Sequence, residues 1–138
     1  MRNTQSLLLT LCLAACTYTL SFAQEFKIYP GSRVDESAGR QASSRSTQSE
    51  VYTTSDSFEK VCAFYRALYK EHRWPLPAPT LPSGKQVQWA FFILDGAKDI
   101  VHSKAWVKVQ RPYILTVDEN VDFKGIRDVT LIQKLRKN

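Results

Sequence analysis

The spacing between apolar residues changes once along this chain, from a helical repeat to a strand repeat. This change limits the folds that the chain can adopt. Between Phe58 and Tyr69, apolar residues recur at spacings of three and four, which predicts one amphipathic helix. From Val87 to Ile93, apolar and polar residues alternate, which predicts a strand with one buried face. A chain that carries both periods buries its core between a helix and a sheet. We therefore expect an α+β domain.

The predicted helix has a marked start and a marked stop. Asp56, with Glu59 three residues later, has the arrangement of a capping box, so we place the N-cap at Asp56. We expect the helix to reach His72-Arg73-Trp74, because a run of prolines follows and proline disfavours helix in itself and in the preceding residue. Residues 75–84 are then an extended connector.

The strands are predicted from alternation and from turn residues. Residues 95–99 interrupt the alternation and predict a hairpin, in which pairing of Asp95 with Asp99 sets Trp89 opposite Ala105. This places Trp89, Phe91 and Ile93 of the first strand, and Ala105, Val107 and Val109 of the second, on the inner face. Further strands are expected at Val51–Thr54, Tyr113–Val117 and Arg127–Leu135. The predicted layout is one long helix packed on a four- to five-stranded antiparallel sheet, cystatin-like or similar.

The first 23 residues have the composition of an export signal. Arg2 precedes the apolar run Leu7–Leu20, and Ser21-Phe22-Ala23 then supplies small residues at cleavage spacing. We expect cleavage after Ala23, which makes residues 1–23 a signal peptide. The protein is then exported and is periplasmic or secreted.

Two other outcomes fit the same apolar run. Leu13-Ala14-Ala15-Cys16 has the form of a lipobox, in which case Cys16 is lipidated and tethers the protein to the membrane. Residues 17–23 continue the apolar run where a lipoprotein normally has a polar tether, which favours cleavage after Ala23. An uncleaved anchor is the third outcome, and the run is shorter than the ~20 apolar residues that a bilayer crossing requires.

The exported part is small, basic and poor in cysteine. Removing 23 of the 138 residues leaves 115, which suits one domain. Cys62 is then the remaining cysteine, so no internal disulfide is expected and packing must supply the stability. The net charge falls from +6 to +5 with the loss of Arg2. A positive charge favours acidic surface components as partners. The alternative is that the charge only keeps the protein soluble.

Residues 24–50 are predicted to lie outside the α+β domain, which we place at 51–138. Phe26–Tyr29 has the composition of a short extended element, and Pro30-Gly31 predicts the turn that ends it. Gly31–Ser49 holds seven serines and threonines and almost no apolar residue, so it offers little to bury. We expect a flexible loop rich in serine and arginine.

Four short motifs are spread over most of the mature chain. They are Tyr29-Pro30-Gly31, Tyr52–Val61, Phe64-Tyr65 and Arg127-Asp128-Val129-Thr130. Together they resemble a recurring small exported bacterial domain of uncharacterised function. The motifs consist of a turn, a helix cap and packing aromatic residues. The resemblance implies a compact α+β fold in a bacterial envelope, and it brings no catalytic residue.

Residues that carry chemistry are few. The sequence contains no His-Glu-x-x-His, Cys-x-x-Cys or Gly-x-Ser-x-Gly motif. Cys62 with His72 or His102 is the available thiol and imidazole pairing, but Cys62 lies in the apolar stripe of the helix and is read as a buried small residue. Asp118–Asp122 alternates oxygen side chains as a calcium loop does, but Phe123 stands where that loop requires glycine. We predict no catalytic residue, no metal and no cofactor.

One surface is predicted as a ligand site. Trp106 lies between Lys104 and Lys108 on the expected outward face of the hairpin, with His102 beyond it and Gln88 opposite. An indole between two ammonium groups can stack on a sugar or a base while the lysines meet negative charge. The alternatives are that Trp106 packs beneath the loop 31–49, or that the two faces are reversed.

Three functions remain open from the sequence. The first is an exported, non-catalytic envelope protein that contacts a protein partner or an anionic surface component, and it is favoured because every strong motif is structural. The second is a binder of an anionic or carbohydrate ligand through the Trp106 surface. The third is a small hydrolase or thiol enzyme built on Cys62 or His102. Nucleic acid is not expected as a partner.

Overall fold

The computed structural model describes residues 24–117, 120–121 and 123–138, and within them it has an α+β architecture. Along the described residues, eight strands, two helices and a short 3-10 turn follow one another. They are β1 (Arg33–Val34), α1 (Glu36–Ala42), β2 (Thr47–Thr54), α2 (Phe58–Arg66), β3 (Lys70–His72), β4 (Gln88–Ile93), β5 (Ala105–Arg111), β6 (Thr116–Val117), β7 (Asn120–Val121), the 3-10 turn Phe123–Gly125 and β8 (Thr130–Lys137).

Six of these strands form one sheet in the order β1-β2-β8-β5-β4-β3, and every neighbouring pair is antiparallel. β8 lies at the centre, where Thr47–Thr54 pairs with Thr130–Lys137 on one side and Ala105–Gln110 pairs on the other. β6 and β7 pair separately as a two-stranded sheet. The α+β prediction is confirmed, but the sheet has six strands rather than four or five, because short edge strands add to both sides.

Helix α2 packs on one face of the six-stranded sheet, which we call the α2 face. Val61, Cys62 and Tyr65 form the buried side of the helix. They meet alternate residues of the central strands, since side chains of a strand alternate between its two faces. The buried members of this core are Tyr29, Tyr52, Val61, Cys62, Tyr65, Tyr69, Ala90, Phe92, Leu94, Val107, Val109 and Ile132.

The N-terminal segment completes the core on the α2 face. The ring of Phe26 stacks on Tyr65 with centroids 6.1 Å apart. The hydroxyl of Tyr69 accepts a hydrogen bond from the backbone N–H of Lys27 at 2.8 Å and donates to the carbonyl of Glu25 at 2.7 Å. Residues 24–29 are therefore held by both apolar and polar contacts, although the structure assigns no strand to them.

Residues of three of the four sequence motifs meet in one hydrogen-bond network. The Tyr29 hydroxyl donates to the Asp56 carboxylate at 2.6 Å. The guanidinium of Arg111 donates to the carbonyl of Asp56 and to the hydroxyl of Thr130, both at 3.0 Å. That hydroxyl donates in turn to the carbonyl of Asp56 at 2.6 Å. The network joins the N-terminal turn, the start of α2, β5 and β8, so these motif residues stabilise the fold.

The predicted loop at 31–49 is wrong, because this stretch contains β1, α1 and the start of β2. Asp35 caps α1 by accepting a hydrogen bond from the N–H of Ala38 at 3.0 Å. The helix approaches β2 through small residues: a Cβ on Gly39 would lie 3.1 Å from the carbonyl oxygen of Ser49. Contacts between small residues carry little apolar signal, which is why the sequence pattern missed them. The turn at Pro30-Gly31 is confirmed, with Gly31 at φ +77°.

The predicted helix is too long, since α2 ends at Arg66 and Lys70–His72 is strand β3. Ser57, rather than Asp56, caps α2 and accepts a hydrogen bond from the N–H of Lys60 at 3.2 Å. The carboxylate of Asp56 is already bound by Tyr29. Leu68 and Tyr69 continued the apolar spacing, but Tyr69 packs in the core from beyond the helix.

The hairpin register also differs from the prediction. Trp89 pairs with Gln110 and Ile93 with Trp106, so the loop between β4 and β5 spans residues 94–104. The carboxylate of Asp95 organises that loop by accepting hydrogen bonds from the Ser103 hydroxyl at 2.9 Å and the Lys104 N–H at 2.6 Å. The faces of β5 are as predicted, but those of β4 are reversed. Phe92 faces α2, and Trp89, Phe91 and Ile93 lie on the other side of the sheet.

The last two predicted strands have other bounds in the structure. In place of a strand over Tyr113–Val117, Tyr113 forms an isolated bridge with Arg127, and β6 covers two residues. The strand predicted at Arg127–Leu135 is present as β8, which begins at Thr130. The predicted domain boundary at residue 50 is not a structural boundary, since β2 runs across it.

Candidate functional site

The face of the sheet opposite α2, which we call the opposite face, carries an open cleft at its β3–β4 side. The cleft has a volume of about 840 Å³. Its lining combines three aromatic rings with a proline-rich wall and several polar side chains. Among the lining residues are His72, Arg73, Trp74, Gln86, Trp89 and Phe91. We call this feature the aromatic cleft.

Three aromatic rings give the cleft its shape. Phe91 is buried in the sheet, and the indole of Trp74 stacks on it with centroids 4.8 Å apart and planes at 25°. Trp89 meets the same ring edge-on, at 5.5 Å and 67°. Trp74 and Trp89 are half-buried. Because Phe91 covers one face of Trp74, a ligand in the cleft would contact the other face or the edge of this indole.

The wall of the cleft is the proline-rich segment after β3. The carbonyl of Pro79 accepts a hydrogen bond from the N–H of Val87 at 2.8 Å, and Thr80 bridges to Gln86. Gly84 closes the intervening turn at φ +84°, a value that favours glycine. These contacts fold residues 74–86 back on themselves, so the extended connector predicted for 75–84 forms a wall with a fixed position relative to β4.

Polar side chains surround the aromatic rings. Glu71, Arg73 and Gln86 line the cleft and are exposed, and His72 is half-buried next to Phe91 in the sheet. Arg73, Gln86 and His72 offer a guanidinium, an amide and an imidazole, which supply hydrogen-bond donors and acceptors. The carboxylate of Glu71 is already bound by the guanidinium of Arg66, at 2.6 Å and 3.2 Å. A few polar groups around aromatic surfaces are typical of small-ligand sites.

Lys108 borders this region across the sheet. It pairs with Phe91 on β4 and with Gln133 on β8, and it is half-buried. No ion pair or hydrogen bond joins its ammonium to another described residue. Burial lowers the pKa of Lys108 from its ordinary value of 10.5 to about 8, because the charged form is poorly solvated there.

The structure does not bring the four predicted ligand residues together. Trp106 and Lys108 lie on the opposite face, as predicted. His102 and Lys104 precede β5 in the loop, where His102 Nδ1 lies 2.6 Å from the carboxylate of Asp99. The cation over the Trp106 ring is that of Lys137, at 5.2 Å from the centroid.

Gln88 does not lie opposite Trp106, as the sequence suggested. It pairs with Arg111 at the far end of β4, and its amide donates to Glu59 at 3.1 Å.

Cys62 lacks the surroundings of a nucleophile. Its side chain is 1% exposed in the core of the α2 face, and burial raises the pKa of the thiol to about 12. His72 lies on the opposite face, so the sheet stands between this imidazole and the thiol. His102 is bound to Asp99. No pairing of Cys62 with either histidine is visible in the part of the chain that the structure describes.

Two further features concern metals and membranes. Among the described residues, no group of three or more His, Cys, Asp and Glu side chains could hold a metal ion. The segment Asp118–Asp122 lies partly outside the described residues. Within the described part of the chain, none of the helices has the length and apolar character needed to cross a bilayer.

Trp74 and Trp89 are the residues that sequence reasoning misassigned. The sequence places Trp74 at the end of the predicted helix and Trp89 on the inner face of the sheet, but both line the aromatic cleft. A usable signal was present: Trp74 begins a proline-rich stretch, and Trp89 and Phe91 share one face of β4. What the pattern lacked was the hairpin register, which decides which face those residues occupy.

Comparisons with protein-family models, with curated proteins and with solved structures found nothing that matches this chain.

Proposed function

We propose that this protein is an exported, non-catalytic binding module, and that the aromatic cleft holds its ligand, a saccharide of the cell envelope. The observation that carries the proposal is the pair of half-buried indoles, Trp74 and Trp89, set against Phe91 in an open cleft. Large aromatic surface left unburied beside polar groups is a common mark of a binding site.

The chemistry of the cleft favours a sugar over a purely apolar ligand. A pyranose ring has one face of C–H groups and a periphery of hydroxyls. The electron-rich face of an indole attracts C–H groups. Arg73, Gln86 and His72 stand around the rings and match the hydroxyl periphery with donors and acceptors. The cleft thus offers both kinds of contact that a sugar ring requires.

The predicted export supports a saccharide as the ligand. The apolar run Leu7–Leu20 and the small residues ending at Ala23 predict release on the outer side of the cytoplasmic membrane. Lipidation of Cys16 would place the same domain there on a tether. In either case the domain would meet cell-envelope polysaccharide, and the resemblance to a small exported bacterial domain agrees with that setting.

The test uses the fluorescence of the three tryptophans. Soluble fragments of cell-envelope polysaccharide are titrated into the protein purified from its host, and quenching gives the dissociation constant. Replacing Trp74 by alanine should weaken binding about thirtyfold, since truncating a central aromatic contact typically costs about 2 kcal/mol. Trp89→Ala should give a loss of similar size.

Trp106→Ala is the matched control, because Trp106 lies on the same face of the sheet but does not line the cleft. It should leave the dissociation constant unchanged. Circular dichroism and thermal unfolding confirm that each variant is folded. If no envelope saccharide binds, or if Trp106→Ala weakens binding as much as Trp74→Ala, the proposal is wrong.

A further inference from the structure

A second surface lies at one end of the sheet and is built from cations of three separate segments. The N–H of Lys137 donates to the carbonyl of Lys104 at 2.8 Å, and Ala105 pairs with Arg136. The side-chain amide of Asn138 donates to the carbonyl of Arg45 at 2.8 Å. These backbone contacts hold Arg45, Lys104, Arg136 and Lys137 next to one another, and we call them the basic end.

The cations of the basic end are exposed and lack carboxylate partners among the described residues. Several cations elsewhere are neutralised: Lys60 pairs with Asp56, and Lys134 with Glu50. The carboxylate of Asp95 lies beside Lys104, but its oxygens accept hydrogen bonds from the backbone of Lys104 and from Ser103. Positive charge therefore remains available at the basic end.

An exposed apolar side chain stands beside these charges. Val101, in the loop 94–104, is 72% exposed, the highest value among the large apolar residues described. The ammonium of Lys137 donates to its carbonyl at 3.1 Å, which fixes Val101 next to the basic end. An apolar side chain flanked by lysines is suited to the boundary between lipid headgroups and acyl chains.

The chain also enters the described fold at this point. The N–H of Gln24 donates to the carbonyl of Leu94 at 2.8 Å, and the N–H of Leu94 donates to Ala105 at 2.9 Å. Gln24 therefore lies beside Lys104, where the basic end begins. The hydrophobic run Leu7–Leu20 precedes it in the sequence.

We propose that the basic end, with Val101, docks on the surface of an anionic lipid bilayer. Both main processing routes strengthen the contact. Cleavage after Ala23 would leave a free α-amino group on Gln24, which adds a positive charge at this end. Lipidation of Cys16 would leave seven residues before Gln24, a tether of at most ~25 Å from the bilayer. The aromatic cleft involves other residues and is free to hold its ligand in the docked state.

The test measures co-sedimentation with lipid vesicles, using protein recovered from the host envelope in its processed form. Vesicles that contain phosphatidylglycerol should bind the protein more strongly than vesicles of phosphatidylcholine alone, whether or not the recovered protein carries a lipid. Substituting Lys104, Arg136 and Lys137 together by glutamine should weaken partitioning about a hundredfold, at about fivefold for each cation. Val101→Ser should weaken it further, and added salt should weaken it in the parent protein.

The matched control changes Arg33, Lys70 and Lys85 to glutamine. These are also exposed cations without a described carboxylate partner, and the change in net charge is the same. The control should keep the parent partitioning within a factor of ~3. An equal loss of partitioning in both triple variants would show that binding depends on net charge alone, which overturns the proposal. Binding to a soluble anionic polysaccharide with none to vesicles would overturn it too.

Discussion

The two faces of the sheet differ in how completely their side chains are buried. On the α2 face, Phe92, Val107 and Ile132 are fully covered, and almost every buried polar group has a partner. The exception among the described residues is the hydroxyl of Tyr65. On the opposite face, Val51 and Leu131 are also buried, but towards β3 and β4 Trp74 and Trp89 stay half-buried, and Lys108 has no partner among the described residues. In this part of the sheet the α2 face is thus closed, and the opposite face retains surface that can bind.

Truncating one aromatic side chain on each face tests the difference between the two faces most directly. Phe92→Ala should lower the free energy of unfolding by about 4 kcal/mol, because it leaves a cavity in the closed core of the α2 face. Trp74→Ala should lower it by about 1 kcal/mol, since it removes a half-exposed ring and one stacking contact. Urea unfolding measures both values. Equal losses would show that the aromatic cleft is part of the core.

Lys108, on the opposite face, should make the stability of the protein depend on pH. Its folded pKa lies below the ordinary value, so the unfolded chain binds the proton more strongly between about 8 and 10.5. Stability should therefore rise between about pH 8 and 9. Above pH 9 the buried thiol of Cys62, whose pKa is raised from 9.0 to about 12, acts in the opposite direction. Lys108→Met should abolish that rise while leaving the fold intact. The readout is the free energy of unfolding as a function of pH, with Lys104→Met, an exposed lysine, as the control that keeps the rise. A flat profile in the parent protein contradicts the prediction.

Tyr29 provides the corresponding test on the α2 face, with a smaller effect. The hydrogen bond from the Tyr29 hydroxyl, followed by the contacts of Lys60, holds the pKa of Asp56 below its ordinary value of 3.8. This contribution to stability is present above pH 3.8 and is lost as the pH falls through the folded pKa. Tyr29→Phe should shift the pKa of Asp56 upward and reduce the loss of stability on acidification.

The pKa of Asp56 is measured by NMR titration of its carboxyl carbon. The control is Tyr113→Phe, because the Tyr113 ring lies under Arg127 and away from Asp56. An unchanged pKa in Tyr29→Phe would mean that Lys60 alone holds the carboxylate.

The fold class and several elements could be predicted from the sequence, because they depend on local periodicity. The core side of α2, the strand β4 and the faces of β5 follow from spacings of three, four and two residues. The end of α2 could not be predicted, since Tyr69 fits the helical spacing yet reaches the core from the turn before β3. Helix α1 was missed because Ala38 and Gly39 pack through their small size.

The candidate site was harder to predict than the fold. Trp106 and Lys108 were placed on the correct face, but Lys104 and His102 belong to a loop whose length the turn residues did not reveal. Register depends on contacts between distant segments, here the hydrogen bonds of Asp95 to residues 103 and 104. A register error of an odd number of residues exchanges the two faces of a strand. For this reason the sequence did not show that Trp89 and Phe91 line the cleft.

The central position of β8 sets an order of events for a chain that crosses a membrane. Residues 130–137 lie between β2 and β5, and without them the sheet is two separate halves. A chain that is translocated from its N-terminus would deliver α2 and its aromatic partners first and the joining strand last. If the protein is exported, as we propose, we expect it to stay open until residues 130–137 have emerged, so that the chain crosses the membrane unfolded and the sheet closes on the far side.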